Sequence, residues 1–191
     1  MLIASAMILA GGQGTRLGQD KKNLIFENVN ILENLIKKLS SRFKEIFVST
    51  NDGAVFDNAI TLADEIGHGP LAGIHSGLGV CISEYLYVTG CDMPYLSLEY
   101  IDYLIKCAEK TNADAIVARR KDGYYEPFNA MYNKSALPII TKAINSGRYG
   151  LNRILDTMNL FVVEQVKSSA YVNGNMFVNI NRKEDLKTTF T

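Results

Sequence analysis

Short apolar runs rich in β-branched and aromatic residues recur along this chain, and stretches with a helical apolar period separate them. The runs at 7–9, 45–48, 85–88, 113–117, 128–132 and 160–163 read as strands. Between the first two, Ile31, Leu32, Leu35, Ile36 and Leu39 form a stripe at i, i+3 and i+4 spacing. Leu98, Ile101, Leu104, Ile105 and Ala108 repeat that stripe after Ser97, a residue type suited to capping a helix N-terminus. A further helix is expected from about Ser135 to Asn145, ended by Ser146-Gly147. Strands alternating with helices at this spacing predict an α/β fold: a mostly parallel sheet between two helical layers. The first runs are apolar throughout instead of alternating, which fits strands buried on both faces.

Composition narrows the class further. A chain of 191 residues, 47% of them hydrophobic, suits one domain over 1–191, long enough to bury about 70% of its unfolded surface. No internal repeat or linker interrupts it. Acidic and basic residues balance at 20 each, so overall charge gives no case for a nucleic-acid or membrane partner. Cys81, Cys91 and Cys107 are odd in number and lack a CxxC spacing, which reads as reduced thiols in a cytoplasmic protein. The apolar stretch 1–10 has no basic residue before it and leads into a glycine loop. It is too short to cross a bilayer, so a buried first strand is expected instead of a secretory leader or span.

In open parallel sheets ligands lie beyond the carboxyl ends of the strands. Directly after the first strand comes Leu9-Ala10-Gly11-Gly12-Gln13-Gly14-Thr15-Arg16-Leu17-Gly18-Gln19-Asp20-Lys21. Glycines let the backbone approach a ligand, and successive backbone N–H groups can cradle phosphate oxygens. Arg16 adds a planar fork suited to phosphate and Lys21 a point charge. The loop is not GxxxxGK[ST], because no Gly-Lys-Ser/Thr occurs. Nor is it GxGxxG, because Leu17 stands where the third glycine belongs.

At this loop the chain resembles the molybdenum cofactor guanylyltransferases, whose opening is Leu-Ala-Gly-Gly, then Arg-Met-Gly, then Asp-Lys. The matching residues are Leu9-Ala10-Gly11-Gly12, Arg16-Leu17-Gly18 and Asp20-Lys21, with leucine in place of the methionine. Related cytidylyltransferases carry Leu-Ala-Ala-Gly, so Gly11 favours guanine. The stretch 12–17 also resembles sugar-phosphate nucleotidyltransferases, which continue to a Pro-Lys pair that this chain lacks. The resemblance implies a single Rossmann-like domain of the nucleotide-diphospho-sugar transferase type.

It extends to later segments. Gly90-Cys91-Asp92-Met93-Pro94 follows a strand, and the family's Cys-Asp-x-Pro aspartate binds metal, which carries Mg²⁺ ligation over to Asp92. An acid at a strand end beside a phosphate loop suits Mg²⁺, which takes one or two carboxylates plus phosphate oxygens. Without a partner base, Cys91 reads as a small buried residue. Gly69-Pro70-Leu71-Ala72-Gly73 matches the family's Gly-Pro-Leu-Ala-Gly block, read physically as a helix start against which a ligand lies. The family places this block, an aspartate upstream and an asparagine after the second strand around the guanine nucleotide. Those positions fall on Gly69, Gly73, Asp64 and Asn51, although Asn51 also suits a turn. His68 and His75 receive no role.

Near the C-terminus, Asn179-Ile180-Asn181 resembles the family's Asn-x-Asn element beside metal and phosphates. Arg182-Lys183-Glu184 replaces the family's Thr-Pro-Glu, and Asn181 with Glu184 also makes a capping-box start for a last helix. Asn179 is therefore the site residue carried over. The segment 124–130 resembles the family's acceptor side, with Arg148 and Arg153 as further candidates for an acceptor phosphate. The implied reaction is attack by the terminal phosphate of molybdenum-molybdopterin on the α-phosphorus of GTP, releasing pyrophosphate. Arg16, Lys21 and Asp92 carry the chemistry in that reading. Cytidylyl or sugar-phosphate transfer, and a non-catalytic nucleotide- or cofactor-binding role, remain alternatives. A partner that delivers the cofactor or a molybdenum enzyme that receives the product is compatible with each.

Overall fold

The computed structural model describes residues 4–11, 21–63, 66, 69–120, 122–164, 175–181 and 185. After β1 (Ala4–Leu9), a small hairpin of β2 (Ile25–Phe26) and β3 (Val29–Asn30) leads into α1 (Ile31–Leu39) and β4 (Ile46–Ser49). Then come β5 (Ile60–Leu62), α2 (Gly69–Val80), β6 (Tyr85–Gly90), α3 (Leu98–Ala108) and β7 (Ala115–Arg119). The long β8 (Tyr125–Asn133), α4 (Leu137–Asn145), α5 (Leu151–Leu155) and β9 (Leu160–Glu164) follow. Seven of these strands form one sheet in the order β5-β4-β1-β6-β8-β7-β9. The pairs are parallel except those of β8, which runs antiparallel to both β6 and β7.

Residues on alternate sides of the central strands feed two cores. On one face Ile8, Tyr87, Ile116 and Met131 pack with the apolar stripes of α1 and α3. On the other, Met7, Phe47, Val88 and Tyr132 pack with α2, α4 and α5. This two-sided burial is why the first runs are apolar without alternation. The helix caps also follow local chemistry. Asn30 accepts from Glu33 N at 3.1 Å and Ser97 accepts from Tyr100 N at 3.1 Å, as the sequence leads one to expect for Ser97. The helix expected from Ser135 begins instead as a 3-10 turn over Lys134–Ala136 and becomes α4.

Helix α2 buries Leu71, Ile74 and Leu78 against the sheet and lies close on it where Gly73 and Gly77 face the strands. A Cβ at Gly77 would stand 2.7 Å from Leu86 Cδ2 and 2.7 Å from Met7 Cε, and one at Gly73 would meet Leu9 Cδ2 and Ser49 Oγ. The β2–β3 hairpin, β5 and α5 are elements without a distinct signal in the sequence. The hairpin turns through Glu27 and Asn28, both at positive φ (50° and 63°), a geometry that usually selects Asn-Gly or Asp-Gly.

Candidate active site

The parallel strands β4, β1 and β6 end together, and backbone hydrogen bonds continue past their ends. Ala10 N donates to Ser49 O at 3.0 Å, and Cys91 N donates to Leu9 O at 3.1 Å. Because the register pairs Leu9 with Gly90, the start of the glycine loop and the turn that holds Asp92 leave adjacent strand ends. The chain leaves β1 toward β4 on one flank, whereas β6 leads through α3 toward the other. The crevice between β1 and β6 is thus a topological switch point, the usual ligand position in an open α/β sheet.

Several residues singled out from the sequence meet here. Leu9 is half-buried, Ala10 is buried and Gly11 is exposed at the mouth of the loop. Gly12, Gly14, Arg16, Asp64, His68 and Glu184 lie outside the described residues, as does the side chain of Lys21, whose backbone opens a 3-10 turn over Lys21–Asn23. The neighbouring Lys22 forms an ion pair with Asp52, joining the exit of the glycine loop to the turn after β4. In that turn Asp52 Oδ1 accepts from Thr50 Oγ1 at 2.7 Å and from Ala54 N at 3.2 Å, with Asn51 exposed beside it. Gly69 opens α2 at φ 64°, a conformation that favours glycine, and is exposed. Gly73 is buried against Leu9 and Ser49, where its missing Cβ allows close helix–sheet packing at the strand ends.

Asp92 is half-buried just past β6, and its side chain folds back over the strand end. A Cβ on Gly90 would sit 2.7 Å from Asp92 Oδ1. Segment 175–181 closes the other side. Ile180 N donates to Asp92 O at 2.8 Å, Met176 and Ile180 are buried in the core with α3, and Phe177 meets Tyr100 edge-on at 6.0 Å. Between these anchors, Asn179 Oδ1 is buried with no hydrogen-bond partner among the described residues. A carboxylate and an unsatisfied amide oxygen on adjoining segments fit a hard cation that fills its shell with phosphate oxygens and water. Among the described residues no three His, Cys, Asp or Glu side chains converge.

Two residues of the segment 124–130 gain individual roles only in the structure. Asn129, buried at φ 48°, joins β8, β6 and segment 175–181 through its side chain. Glu126 is half-buried near the start of β8, and burial chiefly, with Asp122 adding to it and Arg120 opposing it, pushes its carboxyl up to about 7. Cys91 is buried, as expected, and burial raises the Cys81 and Cys107 thiols. His75 Nε2 lies 3.1 Å from Thr141 Oγ1, a contact between α2 and α4. Arg148 and Arg153 share a cleft of about 750 Å³ with Lys142 and Tyr149 between α4 and α5. Asn152 Oδ1 accepts from Tyr125 N at 2.8 Å and ties that region to the start of β8, hence to the carboxyl edge of the sheet.

Residues 6–165 match the MobA-like NTP transferase domain. The chain belongs to the MobA-like NTP transferase family. As a member of it, the protein is a nucleotidyltransferase. This MobA-like chain is 36% identical over 191 residues to the molybdenum cofactor guanylyltransferase of Syntrophotalea carbinolica, covering 98% of this chain and 90% of that one. It is 32% identical to a probable molybdenum cofactor guanylyltransferase of Peptoclostridium acidaminophilum, covering 97% of this chain and 88% of the relative. Among solved structures, molybdopterin-guanine dinucleotide biosynthesis protein A from Archaeoglobus fulgidus superimposes with a TM-score of 0.84 at 26% identity, covering 96% and 95% of the two chains. Among the described residues of this MobA-like protein, no helix is long and apolar enough to cross a membrane.

Proposed function

We propose that the protein transfers GMP from GTP to the terminal phosphate of molybdenum-loaded molybdopterin, giving the guanine dinucleotide and pyrophosphate. The observation that carries the reaction class is the register of β1 with β6, which brings the mouth of the glycine loop beside Asp92 at the switch point. The choice of GTP and acceptor rests on the full-length likeness to proteins named for that activity.

In this reading the backbone from Ala10 through Gly14 lies along the triphosphate, and Arg16 and Lys21 neutralise the departing pyrophosphate. Asn51, Asp64 and Gly69 border the guanine nucleotide, while Gly73 acts indirectly by letting α2 press on Leu9. Asp92 and Asn179 would hold Mg²⁺, which supplies charge neutralisation between phosphate oxygens. An acceptor oxygen forms the new bond to the α-phosphorus as the α–β anhydride bond breaks, and the electron pair leaves with pyrophosphate. A phosphate nucleophile is already ionised at neutral pH, so the chain needs no general base. Its contribution is alignment and electrostatics. In this reading the work falls to a single domain over 1–191, with cytoplasmic cofactor supply.

Pyrophosphate release with Mg²⁺, loaded acceptor and each of GTP, CTP, ATP and UTP tests the proposal. Release with GTP alone, reduced by about a hundredfold or more in Asp92→Ala, is the expected result. Release with CTP instead would transfer the protein to cytidylyl chemistry.

A further inference from the structure

The ladder between β6 and β8 ends at Val88 and Ala130. Beyond it β8 departs from regular pairing: its register against β7 shifts between Ile116 and Ala118, which pair with Met131 and Glu126. Such irregularities re-aim side chains and cluster beside sites. Asn129 occupies this stretch at φ 48°, a backbone state that Asn tolerates and most side chains avoid. It is 1% exposed, and its amide makes three hydrogen bonds. Its Oδ1 accepts from Tyr87 OH at 2.7 Å and from Thr89 Oγ1 at 2.8 Å, and its Nδ2 donates to Met176 O at 2.7 Å.

The last of these bonds reaches the segment that carries Asn179. Asn129 thus holds this segment at Met176, and the Asp92 carbonyl holds it at Ile180. Asn179 lies between these two anchors, with its Oδ1 buried and unpartnered among the described residues. We infer that Asn129 is a positioning residue: it fixes segment 176–180 so that the Asn179 amide oxygen is presented beside Asp92 for a divalent cation. The inference rests on the metal reading of Asp92 and Asn179 given above. An aliphatic residue would satisfy neither Tyr87 and Thr89 nor Met176, and would leave three buried polar groups without that partner.

The test uses the full chain and two readouts that do not depend on turnover. Asn129→Gly keeps access to the positive-φ backbone but removes all three side-chain bonds. Hydrogen exchange at the Ile180 amide should rise about tenfold in this variant, while amides of β1 and β4 keep wild-type protection. Mn²⁺ affinity, measured by electron paramagnetic resonance with GTP present, should weaken about tenfold, and Asn179→Ala should weaken it similarly. Circular dichroism checks the fold. If Asn129→Gly does not fold, Thr89→Val, which removes part of the Oδ1 anchorage, should move both readouts the same way by about threefold. Unchanged Mn²⁺ affinity in the folded Asn129 or Thr89 variant, with a clear loss in Asp92→Ala and Asn179→Ala, overturns the positioning role alone. Unchanged affinity in Asp92→Ala overturns the metal reading and the inference that depends on it.

Discussion

At the scale of single residues, the site depends on small side chains as much as on charged ones. Gly90 is the clearest case: a methyl group there would stand 2.7 Å from Asp92 Oδ1 and turn the carboxylate off the strand end. Gly90→Ala should therefore lower pyrophosphate release by on the order of tenfold to a hundredfold, with a melting temperature close to wild type. Parallel assay and thermal melts check this, and equal losses of activity and fold would contradict it. Glu126 gives a stability prediction. Its folded-state carboxyl lies at about 7, above the ordinary 4.5, chiefly because burial penalises the ion. Between those two values the unfolded chain has released the proton and the folded chain keeps it. Stability from this group is therefore full below about pH 4.5, declines as pH rises to about 7, and stays lost above that. Glu126→Gln should flatten this part of the profile and be more stable than wild type at pH 8 by on the order of 2–3 kcal/mol. Denaturant titrations from pH 4 to 8 decide, and parallel profiles would refute the assignment.

At the scale of elements, local signals and tertiary placement separate cleanly. Asn30 combines an N-cap bond to Glu33 N with a 3.0 Å donation from its Nδ2 to Lys22 O, linking α1 to the exit of the glycine loop. Asn30→Ala should cost about 1 kcal/mol in urea unfolding, with a loss near zero contradicting the cap. The stripes of α1 and α3, the Ser97 cap and the buried strands β1, β4 and β6 were legible because each rests on residue type and period within one segment. The reversed direction of β8 was not, since strand pairing depends on partners far away in sequence. The individual role of Asn129 was not legible for the same reason: 124–130 resembles an acceptor-side segment as a whole, and the positive φ of Asn129 and its bond to Met176 exist only once three segments meet. For Gly73 the block was recognisable, but its packing against Leu9 and Ser49 required the helix to be docked.

At the scale of the whole molecule, the order of strands explains why the site lies where it does. With β1 between β4 and β6, the chain departs to opposite flanks from two adjacent strand ends, after which come Gly11 on one side and Asp92 on the other. Segment 175–181, distant in sequence, completes it by packing Met176 and Ile180 into the core beside α3. The family domain covers 6–165, so this closing segment lies beyond the matched region and still reaches Asp92 through the Ile180 bond. The most direct test of the central claim follows the two ends of the triphosphate separately. GTP labelled at the α-phosphate or at the γ-phosphate is supplied with Mg²⁺ and molybdenum-loaded molybdopterin, and the dinucleotide and pyrophosphate fractions are resolved. The expected result is acceptor-dependent transfer of the α label into the dinucleotide, with the γ label in pyrophosphate. Appearance of the γ label on the acceptor, or release of label without any acceptor dependence, would contradict it.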